Sequence, residues 1–483
     1  MKLGLIQRIV GIFLIAFSPT MLPPVAVALI YRDGALEPFL YTFAGTLAAG
    51  VLLWFPKRHD HREMRVREGF LVVTLFWVVL SAVSSLPLHF AAEPHLPFTD
   101  AMFEAVSGLT TTGMTVLVGI DTLPHAVLWY RQQLHWLGGL GVAVIALAIL
   151  PVLGVGGMQL YRAEASGPSK EDKLTPRLRG TVKGLLRVYL LLTIACTAAF
   201  WMAGMSLFDA IGHSFATVST GGFSTHDANI AYFQSDAIEI ICMIFMIAGG
   251  ISFALHFQVL QSFRLRDYWR HAETRTFLLV LLTVSLIAAA YLLMHNPQAS
   301  VTDRLMNAAF QTVSVMTSTG FATESFADWP GFLPVLLMFI SIMGACAGST
   351  SGGMKTVRFM MVYKQGMREI ARLVHPNAVV PVKLGGRVVS DRVMEAIWGF
   401  FAAYTIIFAI VMLLFMAGGL DQVSAFSAVA ATINNMGLGL GEVASNFASV
   451  SDFGKWVGIA AMLIGRLEIF TVLVLFLPEF WRQ

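Results

Sequence analysis

Charge is scarce in this sequence. Only 13% of its 483 residues are Asp, Glu, Lys or Arg, against 57% hydrophobic. With a mean hydropathy of +0.72, that is too little charge to cover the surface of a water-soluble chain of this length. Cysteine is scarcer still, and three residues cannot build a disulfide framework. His, Cys and carboxylates nowhere recur at metal-ligand spacing, and no nucleophile stands beside a base in a pattern that marks an enzyme. A nucleotide-binding motif is also missing. The basic, apolar N-terminus lacks the small-residue cleavage site of a secretory leader and stays apolar to about Tyr31, so it is expected to remain as a first span.

What the chain does have is apolar runs long enough to cross about 30 Å of hydrocarbon. Ten are expected, near 5–31, 36–56, 68–90, 125–150, 185–205, 235–260, 276–294, 329–362, 393–418 and 453–480. Basic residues cluster after every second span. They fall in 57–67 (Lys57, Arg58, Arg62, Arg65, Arg67), in 161–187, at Arg264, Arg266, Arg270 and Arg275, and in 355–392. Such asymmetry marks the cytoplasmic side and places both termini there too. These clusters serve either as topology markers touching anionic headgroups or, in addition, as a docking face for a cytoplasmic partner. Nucleic acid is not implied.

The outer connections repeat one another. They read FTDAMFEAVSGLTTTGMTVL, LFDAIGHSFATVSTGGFSTHD, RLMNAAFQTVSVMTSTGFATES and VSAFSAVAATINNMGLGLGEV. Each is a short apolar segment followed by small polar residues and a glycine. Such a segment is too short to cross as a helix, but it can dip in and return, provided its non-helical part lines a polar cavity or is buried in protein. The copies align on glycine: Thr110-Thr111-Thr112-Gly113, Ser219-Thr220-Gly221-Gly222, Thr317-Ser318-Thr319-Gly320 and Asn434-Asn435-Met436-Gly437. Recurrence at matching topological positions points to internal duplication. The fold class expected is an all-α polytopic membrane protein. An extra N-terminal helix hairpin (1–60) precedes four pseudo-repeated helix–pore loop–helix units around a central pore, at 61–160, 161–270, 271–375 and 376–483.

The physical sense of these loops is a selectivity filter, in which backbone carbonyls replace the water of a dehydrated cation. No acid lies in the aligned tripeptides, which disfavours a divalent-cation site. The short helices would aim their partly negative C-terminal ends at the ion. Asp100, Glu104 and Asp209 near their starts either favour cation access or cap helices.

The eighth span is broken by Gly344-Ala345-Cys346-Ala347-Gly348-Ser349-Thr350-Ser351-Gly352-Gly353, small residues that make a poor helix. It is read as a mobile gate in the inner half of the membrane, the other reading being a packing site for neighbouring helices. Arg466 lies deep in the tenth span and is expensive there unless paired or turned to a cavity. It is either a pore-side charge that restrains the gate or tunes cation passage, or a member of a structural pair. Glu468, two residues on, faces away from it. Arg131 and His135 are expected to hydrogen-bond the back of the first loop, and His213 to be a satisfied buried histidine.

These residues meet a known family. SGLTTTGMT (107–115), ATVSTGGFSTHD (216–227), TSTGFAT (317–323), TINNMGLGLG (432–441), GACAGSTSGGMKTVR (344–358), QLYRAEASGP (159–168), RLVHPNAV (372–379) and GRLEIFT (465–471) closely resemble the membrane subunits of bacterial Trk potassium-uptake systems, within the Trk/Ktr/HKT superfamily. The resemblance runs from end to end. It implies a single-chain counterpart of a tetrameric potassium channel, in the bacterial inner membrane, with Gly113, Gly222, Gly320 and Gly437 as filter glycines. Potassium would be held at Thr111, Thr112, Thr220, Gly221, Ser318, Thr319, Asn435 and Met436. The 344–353 segment would be the gating loop, with Arg466 beneath the filter. It further implies a homodimer that binds a cytoplasmic nucleotide-binding regulatory ring resembling TrkA, any nucleotide being held by that partner. The fourth loop, Asn434-Asn435-Met436, departs from the simplest filter pattern and leaves the potassium-to-sodium ratio open. Potassium uptake is the function expected. Proton- or sodium-coupled symport and, from another class, a non-conducting scaffold are the alternatives.

Overall fold

The computed structural model describes residues 3–59, 66–148, 174–295 and 300–482. The basic stretch 161–173 and the motif at 159–168 lie outside the described residues. Long helices carry the chain back and forth. Leu3–Tyr31 passes through a 3-10 turn at Ser18–Met21, where Pro19 interrupts the regular ladder, and Leu36–Lys57 returns beside it. The two backbones touch where Gly11 meets Gly50 and Trp54, an approach that a side chain at Gly11 would block. Further on come Val66–Phe90, His125–Ala148, Leu174–Met202, Ala272–His295 and Asp391–Ala417.

Their outward faces are wrong for water and right for lipid. On Ala272–His295, Phe277, Leu281, Val284 and Ala288 are buried while Leu279, Leu282, Leu286 and Ile287 are exposed. An apolar surface all round a helix belongs in a bilayer. Six helices among the described residues are long and apolar enough to cross, and eight crossings result if each of two bent pairs counts as one. The other two expected spans are His125–Ala148 and the broken stretch around 344–353.

Two spans expected as continuous are bent. Asp236–Gly250 meets Phe253–Ser262 at 99°, and Asp452–Leu467 meets Ile469–Phe476 at 110°. At the first bend the backbone groups freed by Ile251 and Ser252 find partners in the glycine-rich segment: Cys346 N–H donates to Gly250 O (3.0 Å) and Phe253 N–H to Gly348 O (3.0 Å). At the second, Glu468 takes a positive φ of 61° and its carboxylate leaves to meet Arg358 (2.7 Å). A two-residue hairpin, Lys383–Leu384 with Arg387–Val388, is the single sheet among the described residues.

The N-terminal hairpin shares a core with the first pore unit, through Leu14, Phe39, Trp77 and Tyr130. The second, third and fourth units enclose a second, larger core, to which the first contributes Met102, Phe103 and Val106.

Candidate functional site: four loops around one axis

Four short helices converge on the site: Phe98–Leu109, Leu207–Val218, Val301–Met316 and Gln422–Ile433. Two have side-chain caps, with Ser206 Oγ accepting from Asp209 N–H and Asp421 from Val423 and Ser424 N–H. All four end in the same Schellman geometry. In the first, Thr112 N–H donates to Ser107 O (2.9 Å) and Thr111 N–H to Gly108 O (3.1 Å). The same pair of bonds recurs from Gly221 and Thr220, from Thr319 and Ser318, and from Met436 and Asn435.

This geometry puts a residue in the left-handed region, where glycine is the usual choice. Here the positions are Thr111 (φ 52°), Thr220 (55°), Ser318 (52°) and Asn435 (50°). A β-branched residue there is a steric outlier, and such conformations cost about 1–3 kcal/mol each. They persist because the surroundings over-determine them. Two residues on, Gly113, Gly222, Gly320 and Gly437 are also left-handed, at φ 82°, 85°, 80° and 86°.

The glycines lock the loops together. A β-carbon on Gly113 would overlap Gly221 O, one on Gly222 would overlap Thr319 O, one on Gly320 would overlap Met436 O, and one on Gly437 would overlap Thr112 O. First meets second, second meets third, third meets fourth, and fourth meets first. The loops therefore form a closed ring of backbone carbonyls with near four-fold symmetry, at the C-terminal ends of four helices. Neutral oxygens with no acid among them suit a monovalent cation stripped of its water.

Polar side chains hold the ring from behind. His135 Nδ1 donates to Gly108 O (2.8 Å) while its Nε2 accepts from Phe223 N–H (3.1 Å), so one neutral tautomer bridges the first and second loops. Arg131 bonds Glu104 (2.7 Å), Ser224 O (3.1 Å) and Thr115 Oγ1 (3.3 Å), and lies over the Phe223 ring. Both charges of that pair are buried. Equivalent braces in the third and fourth loops are neutral: Ser314 to Phe321 O (2.6 Å) and Ser427 to Leu440 O (3.2 Å). His213 is satisfied at both nitrogens, by Asp209 O and Ser224 Oγ. None of the acids weighed for cation access is unpartnered. Glu104 faces Arg131, Asp100 meets Lys455 (2.6 Å), and Asp209 accepts from Thr225 (2.7 Å).

The glycine-rich segment joins Leu333–Met343 to Thr356–Val374 and lies against the base of the ring. Thr350 Oγ1 bonds Val218 O (3.1 Å) and meets Thr220 Oγ1 (3.2 Å); Ser351 Oγ meets Ser318 Oγ (2.9 Å); Gly352 N–H donates to Ser318 Oγ (2.6 Å). The Cα of Gly352 also abuts the carbonyl of Asn434. Three of the four loops are thus touched from below. Arg466 donates to Thr350 O (2.8 Å), and Lys355 Nζ to Ser351 O. Glu468 pairs with Arg358 and not with Arg466, as their spacing requires.

Gly138, Gly139 and Gly141 suggest close helix packing in the sequence, and Gly352 and Gly353 fall in the expected break, but their recurrence went unread. LGGLG (137–141), AGGIS (248–252) and IGRLE (464–468) mark the second helix of three units, and SGGMK (351–355) lies in the break of the third. Gly138, Gly249 and Gly465 press on the carbonyls of Leu109, Val218 and Ile433, the last residue of each unit's own pore helix. Gly139 and Gly250, and in the third unit the first glycine of the pair, Gly352, press on the capping residue of the next unit, Ser219, Thr317 and Asn434. Arg466 follows Gly465 where the fourth unit would carry the second glycine. Glu273, at the start of Ala272–His295, also lacked any sequence signal. Its carboxylate is buried against the glycine-rich segment.

The family model for TrkH, described as a cation transport protein, matches residues 36–483. The chain is 54% identical over 478 residues to the Trk system potassium uptake protein TrkH of Escherichia coli K12, covering 99% of each chain. It is 34% identical over 482 residues to the Trk system potassium uptake protein TrkI of Halomonas elongata, covering 99% of this chain and 97% of the relative. A crystal structure of the potassium transporter TrkH from Vibrio parahaemolyticus superimposes with a TM-score of 0.93 at 51% identity, covering 100% of both chains.

Proposed function

The chain belongs to the TrkH family of cation transport proteins, and from that premise we propose that its carbonyl ring is the selectivity filter through which it takes up potassium. It is a multi-pass protein of the bacterial inner membrane, a transporter and not an enzyme. The observation that carries the filter reading is the closed cycle of contacts from Gly113 through Gly222 and Gly320 to Gly437. Thr110, Thr111 and Thr112, Ser219, Thr220 and Gly221, Thr317, Ser318 and Thr319, and Asn434, Asn435 and Met436 complete the four lining segments.

Potassium leaves its hydration shell at the outer mouth, and carbonyls from each loop take the place of water. The pore helices direct the negative ends of their dipoles to the same region. No side-chain carboxylate enters the ring, so the ion is bound weakly enough to leave. Below, residues 344–353 obstruct the path, with Arg466 and Lys355 holding the carbonyls of Thr350 and Ser351. Moving that loop inward or aside opens the route. Both nitrogens of His135 and of His213 are committed to hydrogen bonds, so neither offers a proton relay unless the loops move.

The unit boundaries at 61–160, 161–270, 271–375 and 376–483, after an N-terminal hairpin at 1–60, follow the four loops. Cytoplasmic termini, a homodimeric state and a cytoplasmic nucleotide-binding ring resembling TrkA complete the proposal. The basic helix Thr356–Val374, continuous with the gate, is suited to receive that ring's push.

The test is the reversal potential of the purified protein in liposomes with opposed potassium and proton gradients, sodium being varied separately. A reversal that follows potassium alone is expected. A reversal displaced by the proton gradient would establish coupling, and the absence of any potassium-dependent flux after verified reconstitution would overturn the reading.

A further inference from the structure

The glycine-rich loop is fastened on two sides. Facing the ring, its contacts are hydroxyls and carbonyls from Thr220, Ser318 and Asn434. Away from the ring it meets an acid. Glu273, 1% exposed, is the second residue of helix Ala272–His295. Its Oε1 accepts the N–H of Ala347, inside the loop, at 2.7 Å. The same oxygen accepts the N–H of Val357, in the first turn of Thr356–Val374, at 3.1 Å.

We infer that Glu273 is the positioning residue that sets the closed gate, by tying the loop and the helix that follows it to one point of the third unit.

Three physical features make this carboxylate suited to the task. Hydrogen bonds to an ionised acceptor are stronger than those among neutral hydroxyls and carbonyls. Val357 N–H is one of the orphan donors of a helix N-terminus, where negative charge is favoured. And because both donors meet one oxygen, neither the loop nor the helix can shift without leaving it. Two neighbouring fastenings are backbone to backbone, Cys346 N–H to Gly250 O and Phe253 N–H to Gly348 O, and an ordinary side-chain replacement leaves them in place. Thr356 Oγ1 also reaches Gly344 O (3.0 Å), but Glu273 is a side chain from outside both segments that binds the two together, and through it displacement of Thr356–Val374 reaches the loop. Glu273 bonds Ala347 and Val357, outside the ring of carbonyls, so its role is in when the pore opens, not in what passes.

The inference rests on the reading of 344–353 as an obstruction of the pore, and the experiment separates the two. The full chain is reconstituted without a cytoplasmic partner, as wild type, Glu273→Gln and Glu273→Asp. Gln keeps the shape and loses the charge; Asp keeps the charge and is one methylene short of reaching both donors. Two quantities are read: basal potassium leak with its potassium-to-sodium ratio, and the rate at which a membrane-permeant maleimide labels each of the buried thiols Cys196, Cys242 and Cys346. Cys346 lies in the loop, beside Ala347, and the other two lie in the core of the second unit.

The expected result is labelling of Cys346 roughly tenfold faster, with leak rising in step, an unchanged ion ratio, and Cys196 and Cys242 still protected. Wild-type labelling and leak in both variants would overturn the inference. Simultaneous labelling of all three thiols would also overturn it, since the acid would then hold the fold as a whole. A changed ion ratio would move its role to the filter and overturn it likewise. Faster labelling of Cys346 alone without added leak would uphold the anchor and overturn the obstruction reading.

Discussion

Asn435 donates its side-chain amide to the hydroxyl of Thr112 at 2.9 Å and to the carbonyl of Met462 at 3.0 Å, joining the last loop of the chain to the first. The departure from the simplest loop pattern is thus the seam of the ring. Asparagine also tolerates the left-handed backbone that this position adopts far better than threonine does. Asn435→Thr, which copies the first two units, is expected to lose both advantages, about 1–3 kcal/mol together. A lowered melting temperature and a smaller potassium-to-sodium ratio in bi-ionic reversal potentials would register the loss. An unchanged ratio would mean that the seam contributes stability alone.

Gly222→Ala is predicted to be a sharper lesion, because the added methyl meets the Thr319 carbonyl and not a movable side chain. The residue also needs its positive φ. Expected is a loss of potassium selectivity of at least roughly tenfold with the protein still inserted in the membrane, since one distorted quadrant spoils the shared ring. Potassium-over-sodium flux in proteoliposomes, beside a quantified membrane fraction, decides it.

Arg131 and Glu104 form a fully buried ion pair behind the first two loops. Removing one partner strands the other charge. Glu104→Leu or Arg131→Met is expected to lower stability by about 3–5 kcal/mol, and the two replacements together to recover part of that. Thermal denaturation of the four proteins as a double-mutant cycle gives the answer. Additive losses would contradict the pairing.

On the outer side His226 lies between Asp121 (2.5 Å) and Asp209 (3.5 Å), stacked on Tyr232 and with His213 6.5 Å away, ring to ring. Burial disfavours its charge, but the two carboxylates outweigh burial and hold its pKa above the ordinary 6.5. A raised value means that the protonated form supports the folded loops. That support is complete below about pH 6.5 and fades as pH rises through the elevated pKa. The melting-temperature difference between wild type and His226→Gln should therefore be largest at acidic pH and shrink under alkaline conditions. A difference that does not depend on pH would exclude the ionic latch.

Much of this was legible from residues alone, and the reasons are physical. Four polar tripeptides before glycine, each outside a long apolar run, leave few other structures in a bilayer, so the loops at Gly113, Gly222, Gly320 and Gly437 could be placed directly. The break at 344–353 declared itself through small residues, and Arg466 through its charge. The bends were not legible. Gly249 and Gly250 weaken the helix before Ile251 and Ser252, but a similar pair, Gly138-Gly139, stays helical, and the chain turns at 251 because a segment far along the sequence supplies partners for the opened backbone. Glu273 reads as an ordinary first-turn acid until the loop folds over it. The pairing of Asn435 with Thr112 depends on the ring closing, which no local window contains.

The ring is made by one polypeptide, so every substitution falls in a single quadrant. A channel assembled from four identical subunits must accept each change four times over, and a charge beneath its filter would arrive as a set of four. Here the first unit keeps its second helix, His125–Ala148, unbroken, the second and fourth bend theirs by 99° and 110°, and the third opens its own over 344–353. The fourth could exchange a glycine for Arg466 without crowding the axis. Division of labour among the quadrants is the freedom that duplication within one chain confers, and the unequal loops of this protein are its record.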